Sequence, residues 1–159
     1  MRGVLFVCTG NICRSPTADG VMRRLVRDAG LADRVRVDSA GTHDYHVGEP
    51  PDVRAQEHAR RRGYDLSGLR ARQVEMEDFD AFELIIAMDR GQLAILRRMA
   101  PPQHRHKLRL FMEFAEGRHG DEVPDPYYGG PDGFERVLDM VEAATRGLLA
   151  ELRGGIKSS

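Results

Sequence analysis

The sequence predicts an α/β fold: one domain built on a doubly wound parallel sheet of four strands with helices on both faces. Three observations carry that expectation. Val4-Leu5-Phe6-Val7 and Leu84-Ile85-Ile86-Ala87-Met88 are apolar without alternation, as strands covered on both faces must be. Segments with apolar residues at helical spacing alternate with the strand-like runs, which is the pattern of right-handed strand-helix-strand crossovers. With 159 residues and 41 % apolar composition, the chain can bury one sizeable core without disulfide or metal support.

In chain order, the first strand covers the apolar run at 4–7. Ala18, Val21, Met22, Leu25, Val26 and Ala29 then mark a helix from Pro16 to about Gly30, with Ser15 placed to cap it and Gly30 to close it. Val35-Arg36-Val37-Asp38-Ser39 alternates as a second strand, and Pro51-Asp52 opens a helix that runs to Gly63. Leu84–Met88 is the third strand, followed by a helix from about Gln92 to Met99. Lys107–Met112 reads as a fourth strand, less apolar and so nearer an edge. A last helix is expected from about Pro131 to Leu152, with Gly154-Gly155 and the polar end frayed.

In such a sheet a ligand sits beyond the carboxyl ends of the strands, where the strand order switches. The stretch after the first strand, Cys8-Thr9-Gly10-Asn11-Ile12-Cys13-Arg14-Ser15-Pro16, has the makings of an anion site. Successive backbone N–H groups form a nest, and the helix behind adds the positive end of its dipole. Gly10 and Asn11 both tolerate positive φ, so the pair allows a tight curl. Cys8 at the bottom of that nest, near Arg14 and the Ser15 hydroxyl, is placed to act as a thiolate nucleophile. Arg14 offers a planar fork matched to two phosphoryl oxygens. Thr9, Gly10, Asn11, Ile12, Cys13 and Ser15 complete the cradle.

Composition removes other classes. A formal net charge of −1 argues against a general nucleic-acid binder. Arg60-Arg61-Arg62 reads as a solvated helix face, with docking of acidic substrate segments as the alternative. Both cysteines lie in the loop, which points to a reducing compartment rather than a disulfide-built scaffold. No signal peptide or membrane-length apolar run is visible, so a cytoplasmic protein without membrane insertion is expected. The six histidines show no ligand spacing; His43 with His46 and His104 with His106 read as surface residues, and neither a metal nor another cofactor is expected.

The run Cys8–Pro16 resembles the signature of the low-molecular-weight protein tyrosine phosphatases. Asp38-Ser39-Ala40-Gly41-Thr42, Val47-Gly48-Glu49-Pro50-Pro51-Asp52, Ala87-Met88-Asp89 and Val123-Pro124-Asp125-Pro126-Tyr127-Tyr128 extend the likeness, in order, along the chain. The resemblance implies strand order 2-1-3-4, a phosphatase domain over 1–153 with a flexible tail over 154–159, and cofactor-free hydrolysis of phosphotyrosine through a cysteinyl-phosphate intermediate. Phosphotyrosine-bearing proteins would be its partners, and a monomer is expected. The resemblance also implies that Ser39 hydrogen-bonds Asn11, that Asp89 stands near the loop, and that Tyr45, Tyr127 and Tyr128 join Ile12 in walling the pocket. Tyr45 departs from the tryptophan that many members carry.

A phenol cannot leave without a proton, which a thiolate cannot supply. Asp125, restricted on both sides by Pro124 and Pro126, is by itself only a stiff turn; the resemblance makes it the general acid, with Asp132 the second candidate. Three alternatives stand beside this reading. A protein arginine phosphatase uses a similar loop, but those enzymes resemble one another in a threonine where this chain has Ile12. An arsenate reductase needs a relay of further cysteines, and an inactive phosphate-binding module usually lacks the nucleophile or the acid.

Overall fold

The computed structural model describes residues 2–126 and 130–157. Its strands are β1 (Arg2–Cys8), β2 (Val35–Gly41), β3 (Leu84–Ala87) and β4 (Leu108–Leu110). They form one four-stranded parallel sheet, as the alternation of elements predicts, in the order β2-β1-β3-β4 that the family resemblance implies. Around it run α1 (Arg14–Asp28), α2 (Val53–Arg61), α3 (Met76–Ala81), α4 (Arg90–Met99) and α5 (Pro131–Lys157).

Successive residues of a strand face opposite sides of its sheet, and β1 divides the core accordingly. Val4, Phe6 and Cys8 pack with Met22 of α1 and Val141 of α5. Leu5 and Val7 pack with Phe79 of α3 and Leu96 of α4. Both faces of the strand are therefore dry, which is why it reads as an unbroken apolar run. Register places Cys8 opposite Gly41 and Val7 opposite Ala87, so the chain leaves all three strands at the same edge of the sheet.

Helix boundaries show where tertiary contacts override local signals. Helix α1 begins at Arg14 rather than Pro16, and the N-cap position falls on Cys13, which makes no side-chain capping bond. Ser15 is thus inside the first turn and caps nothing; its hydroxyl is held by Cys8 and Asn11 instead. Pro16 remains acceptable because first-turn N–H groups have no helical acceptor to lose. The far end behaves as expected: Gly30 at φ 73 closes the helix, with Leu31 N–H bonded to Val26 O at 2.9 Å and Gly30 N–H to Arg27 O at 3.0 Å. Asp52 caps α2, accepting from Arg54 N–H at 2.8 Å.

Helix α3 was not expected. Its signal is short: Asp78 reaches back to accept Glu75 N–H at 2.7 Å, and Phe79 is fully buried. The fourth strand is shorter than the 107–112 expected, because only Leu108–Leu110 find partners on β3. The 3₁₀ turns Pro102–Lys107 and Phe111–Phe114 flank it, and Phe111 and Met112 turn into the core. At the carboxyl end α5 continues past Leu152 to Lys157.

The arginine run also differs from a uniformly solvated face. Arg60 and Arg61 are exposed, but Arg62 turns toward α5 and pairs with Glu135 at 2.7 Å, Asp139 at 2.9 Å and Glu142 at 2.6 Å. His58 bonds the other oxygen of Glu135, and Tyr64 donates to Glu142 at 2.6 Å. This cluster clamps α2 to α5.

Two consequences can be measured. Gly147 lets α5 approach the 111–114 turn so closely that a Cβ would lie 1.8 Å from Phe114 O. Gly→Ala in an open helix stabilises by about 0.5–1 kcal/mol. Gly147→Ala is expected to reverse that sign and cost about 1–3 kcal/mol in urea denaturation, because backbone must move to admit the methyl group. The second concerns pH. Hydrogen bonds from Arg62 and then His58 hold the Glu135 carboxyl below its ordinary range. A carboxylate depressed in the folded state adds stability that is complete above its unfolded value of about 4.3 and drains away as pH falls through the folded value. Arg62→Met should therefore lower Tm more at pH 7 than at pH 3; an equal loss at both would show that packing, not charge, joins the two helices.

Candidate active site

The loop from Cys8 to Arg14 is pinned from several sides. Thr42 N–H donates to Cys8 O at 2.8 Å and His43 N–H to Thr9 O at 3.1 Å, so the segment after β2 lies against it. Asp52 N–H donates to Ile12 O at 2.8 Å, which ties the start of α2 to the same loop. Asn11, at φ 59, is the residue that takes the left-handed conformation; Gly10 does not. A Cβ at Gly10 would sit 3.0 Å from the His46 ring, so a side chain there would have to displace that ring slightly.

Asn11 is the hub of the polar contacts. Its backbone N–H points at Cys8 Sγ at 3.3 Å, its Nδ2 donates to Ser15 Oγ at 2.7 Å, and its Oδ1 accepts Arg72 N–H at 3.0 Å. Ser15 Oγ lies 2.9 Å from Cys8 Sγ. Asn11 donates into Ser15 Oγ, so the Ser15 proton can go to the sulfur at 2.9 Å, with Ala40 O the more distant acceptor at 3.5 Å. That arrangement suits a thiolate, which has no proton of its own to give.

Arg14 is buried at the end of the loop. Its Nη1 donates to Asp89 Oδ2 at 2.8 Å and to Val123 O at 3.0 Å. Among the described residues Nε and Nη2 make no bond, which leaves one edge of the fork for an anion. Asp89, whose part was open in the sequence, has two: it caps α4 through Gln92 N–H at 3.0 Å and it orients Arg14.

A cleft of about 280 Å³ opens over the loop, lined by Cys8, Thr9, Gly10, Ile12, Cys13, Arg14, Tyr45, His46 and Asp125. Asp125 is brought there by Val123, which bonds Met88 O at 2.9 Å at the end of β3 as well as Arg14. Tyr45 forms an exposed wall, stacked on His43 at 4.9 Å. His46 escaped the sequence reading, which left it on the surface: it bonds Glu49 and lies against Gly10, a contact between distant turns with no local pattern. Asp132, in the first turn of α5, does not line the cleft. Tyr127 and Tyr128 lie outside the described residues.

One expected support is replaced. Ser39 does not serve Asn11, whose side chain is taken by Ser15 and the Arg72 backbone. Ser39 is buried near Asp19, whose carboxyl burial pushes up against the opposing effect of Arg23 and, behind it, of the Ser39 hydroxyl. The two cysteines differ sharply. Both are free thiols, but burial, reinforced by the negative charges of Asp52 and Cys8, pushes the Cys13 thiol far up. Cys13 packs instead with Ala55 and Phe134, and Ile12 lies against that cluster.

A larger cavity of about 670 Å³ lies elsewhere, between α1, β2 and the segment after α2. Of its four arginines, Arg23 holds Asp19 and Val37 O, Arg24 holds Gly63 O at 3.0 Å and Arg36 holds Ala81 O at 3.0 Å. Size alone does not mark a site; a thiol, a guanidinium and a carboxylate, from Cys8, Arg14 and Asp125, converge on the smaller cleft.

Comparison with known proteins agrees with this geometry. The family model for low molecular weight phosphotyrosine protein phosphatases matches residues 3–157. A low molecular weight protein-tyrosine-phosphatase of Streptomyces coelicolor is 49 % identical over 153 residues, 94 % of this chain and 93 % of that one. The human low molecular weight phosphotyrosine protein phosphatase is 39 % identical over 149 residues, 93 % of this chain and 94 % of its own. The crystal structure of a protein tyrosine phosphatase from Entamoeba histolytica superposes with a TM-score of 0.94 at 39 % identity, covering 98 % of this chain and 99 % of that one. The chain belongs to the low molecular weight phosphotyrosine protein phosphatase family.

Proposed function

We propose that this phosphatase hydrolyses phosphotyrosine in proteins with Cys8 as nucleophile, Arg14 as oxyanion clamp and Asp125 as general acid and base. The observation that carries the assignment is the convergence of those three residues on one cleft, with the sulfur hydrogen-bonded by Asn11 N–H and Ser15. The Cys8 thiolate attacks phosphorus in line, the phosphorus–oxygen bond to the ring breaks, and Asp125 gives its proton to the departing phenolate. Asp125, now a carboxylate, takes a proton from the water that attacks the cysteinyl phosphate, and the sulfur leaves as thiolate. Throughout, the loop N–H groups with Nε and Nη2 of Arg14 hold the equatorial oxygens, whose charge grows toward the transition state.

An aromatic substrate suits the walls. Ile12 and Tyr45 offer apolar and aromatic surface, and neither would satisfy the polar guanidinium of phosphoarginine. The family resemblance would add Tyr127 and Tyr128, outside the described residues, to that aromatic surface. Two free cysteines fit a reducing compartment, and among the described residues no helix is long and apolar enough to cross a membrane.

With p-nitrophenyl phosphate, Cys8→Ser is expected to abolish turnover while phosphate affinity stays within roughly tenfold, because the cradle is backbone and guanidinium. Arg14→Lys should lower both. Residual turnover in folded Cys8→Ser would remove the covalent route. For Asp125→Asn, single-turnover phosphorylation across a series of aryl phosphates should slow by roughly 10² to 10⁴ for basic leaving groups and far less for acidic ones. A loss independent of leaving-group basicity would assign the proton to another residue.

A further inference from the structure

Residue Gln92 has no part in the chemistry described above, yet it touches two components of the site at once. It lies in the first turn of α4, is 2 % exposed, and sits far along the chain from the loop. Its Oε1 accepts the N–H groups of Met88 and Asp89, both at 3.1 Å. An atom facing two backbone donors must be the carbonyl oxygen, so the amide orientation follows from chemistry. The other end is then NH₂, and it donates to Thr9 Oγ1 at 3.1 Å. Thr9 follows Cys8 directly and lines the cleft.

We propose that Gln92 is a positioning residue that braces the phosphate loop through Thr9 while fixing Asp89, the partner of Arg14. The inference rests on the proposed function only in taking this loop as the phosphate cradle. Helix α4 sends two struts to the loop from one capping pair. Asp89 holds Arg14 at the loop's carboxyl end by an ion pair, and Gln92 holds Thr9 at its amino end by a neutral hydrogen bond. A loop fixed at both ends presents its N–H groups already aimed. If Thr9 is released, the loop must be ordered by the anion itself, and that loss falls on bound substrate, bound product and transition state alike. The signature is a common rise in KM and in the phosphate dissociation constant that exceeds the fall in kcat. A merely structural contact would change Tm alone.

The test compares the unmodified chain with Thr9→Val, Thr9→Ser, Gln92→Met and the double variant Thr9→Val/Gln92→Met. Inorganic phosphate is titrated by calorimetry, p-nitrophenyl phosphate kinetics are resolved into kcat and KM, and Tm is recorded. Thr9→Val should raise the phosphate dissociation constant and KM together by about three- to tenfold, the range of one net hydrogen bond. Thr9→Ser, which keeps the hydroxyl, should restore both. In the Gln92→Met background Thr9→Val should add nothing further, since the shared bond is already gone. Gln92→Met also strands the Asp89 N–H, while Met88 N–H keeps Val7 O at 3.2 Å; if the variant does not fold, the valine and serine variants alone decide the matter. Phosphate affinity within twofold of the unmodified chain in Thr9→Val, or serine as impaired as valine, overturns the proposal. Calorimetry does not depend on turnover: an unmodified chain inactive on the aryl phosphate would strike the proposed function, while phosphate binding weakened by valine and rescued by serine would still support the brace.

Discussion

A guanidinium almost removed from water is tolerated only if its charge is met, and Arg14 is 5 % exposed. Asp89 meets it with a carboxylate and Val123 with a carbonyl. Much of the site's architecture follows from that requirement. Arg14 opens α1, Asp89 opens α4, and Val123 precedes the Pro124-Asp125-Pro126 turn, so three segments distant in sequence are held by one side-chain nitrogen. Both bonds use Nη1, so Nε and Nη2 remain for an anion, and the residue lines the cleft. The contact that makes burial of the cation acceptable also leaves its anion-binding edge available.

The sheet supplies the meeting place. In the order β2-β1-β3-β4 the crossover from β1 to β2 runs one way and the later crossovers the other, so loops part at the end of β1 and leave a crevice. The segment after β2 contributes backbone bonds to the loop and then Tyr45 and His46; the segment after β3 contributes Asp89. Within that crevice two cysteines five positions apart meet opposite environments. Cys8 faces N–H and O–H donors, whereas Cys13 is packed with Ala55 and Phe134 near the Asp52 carboxylate. Local polarity, rather than residue type, separates the two sulfurs.

Phe134 shows how the clamp between α2 and α5 reaches the loop. Its ring stacks on His58 at 5.4 Å, carries Arg54 at 5.0 Å, and packs against Cys13. The His58–Glu135–Arg62 contacts thus reach, through one aromatic ring, the Cys13 end of the loop.

The sequence by itself determined the elements whose signals are local or uninterrupted. Two-faced burial wrote β1 and β3 as apolar runs, Gly30 marked the end of α1 because glycine takes the left-handed conformation without strain, and the Cys8–Pro16 motif held the sulfur, the tight turn and the cation in one short stretch. What only the tertiary structure decided was which side chains answer one another across the chain. Ser15 has the pattern of a cap, but a sulfur 2.9 Å away claims its hydroxyl. Ser39 was expected to support Asn11, but the neighbour that burial gives it is Asp19. The links from Thr9 to Gln92, from His46 to Gly10 and from Arg62 to Glu142 leave no periodic trace, because each joins turns or helices that meet only after the sheet has formed. Hydrophobic periodicity records which face of an element is buried; a polar contact between two loops depends on where the ends of different elements arrive, and no local spacing encodes that.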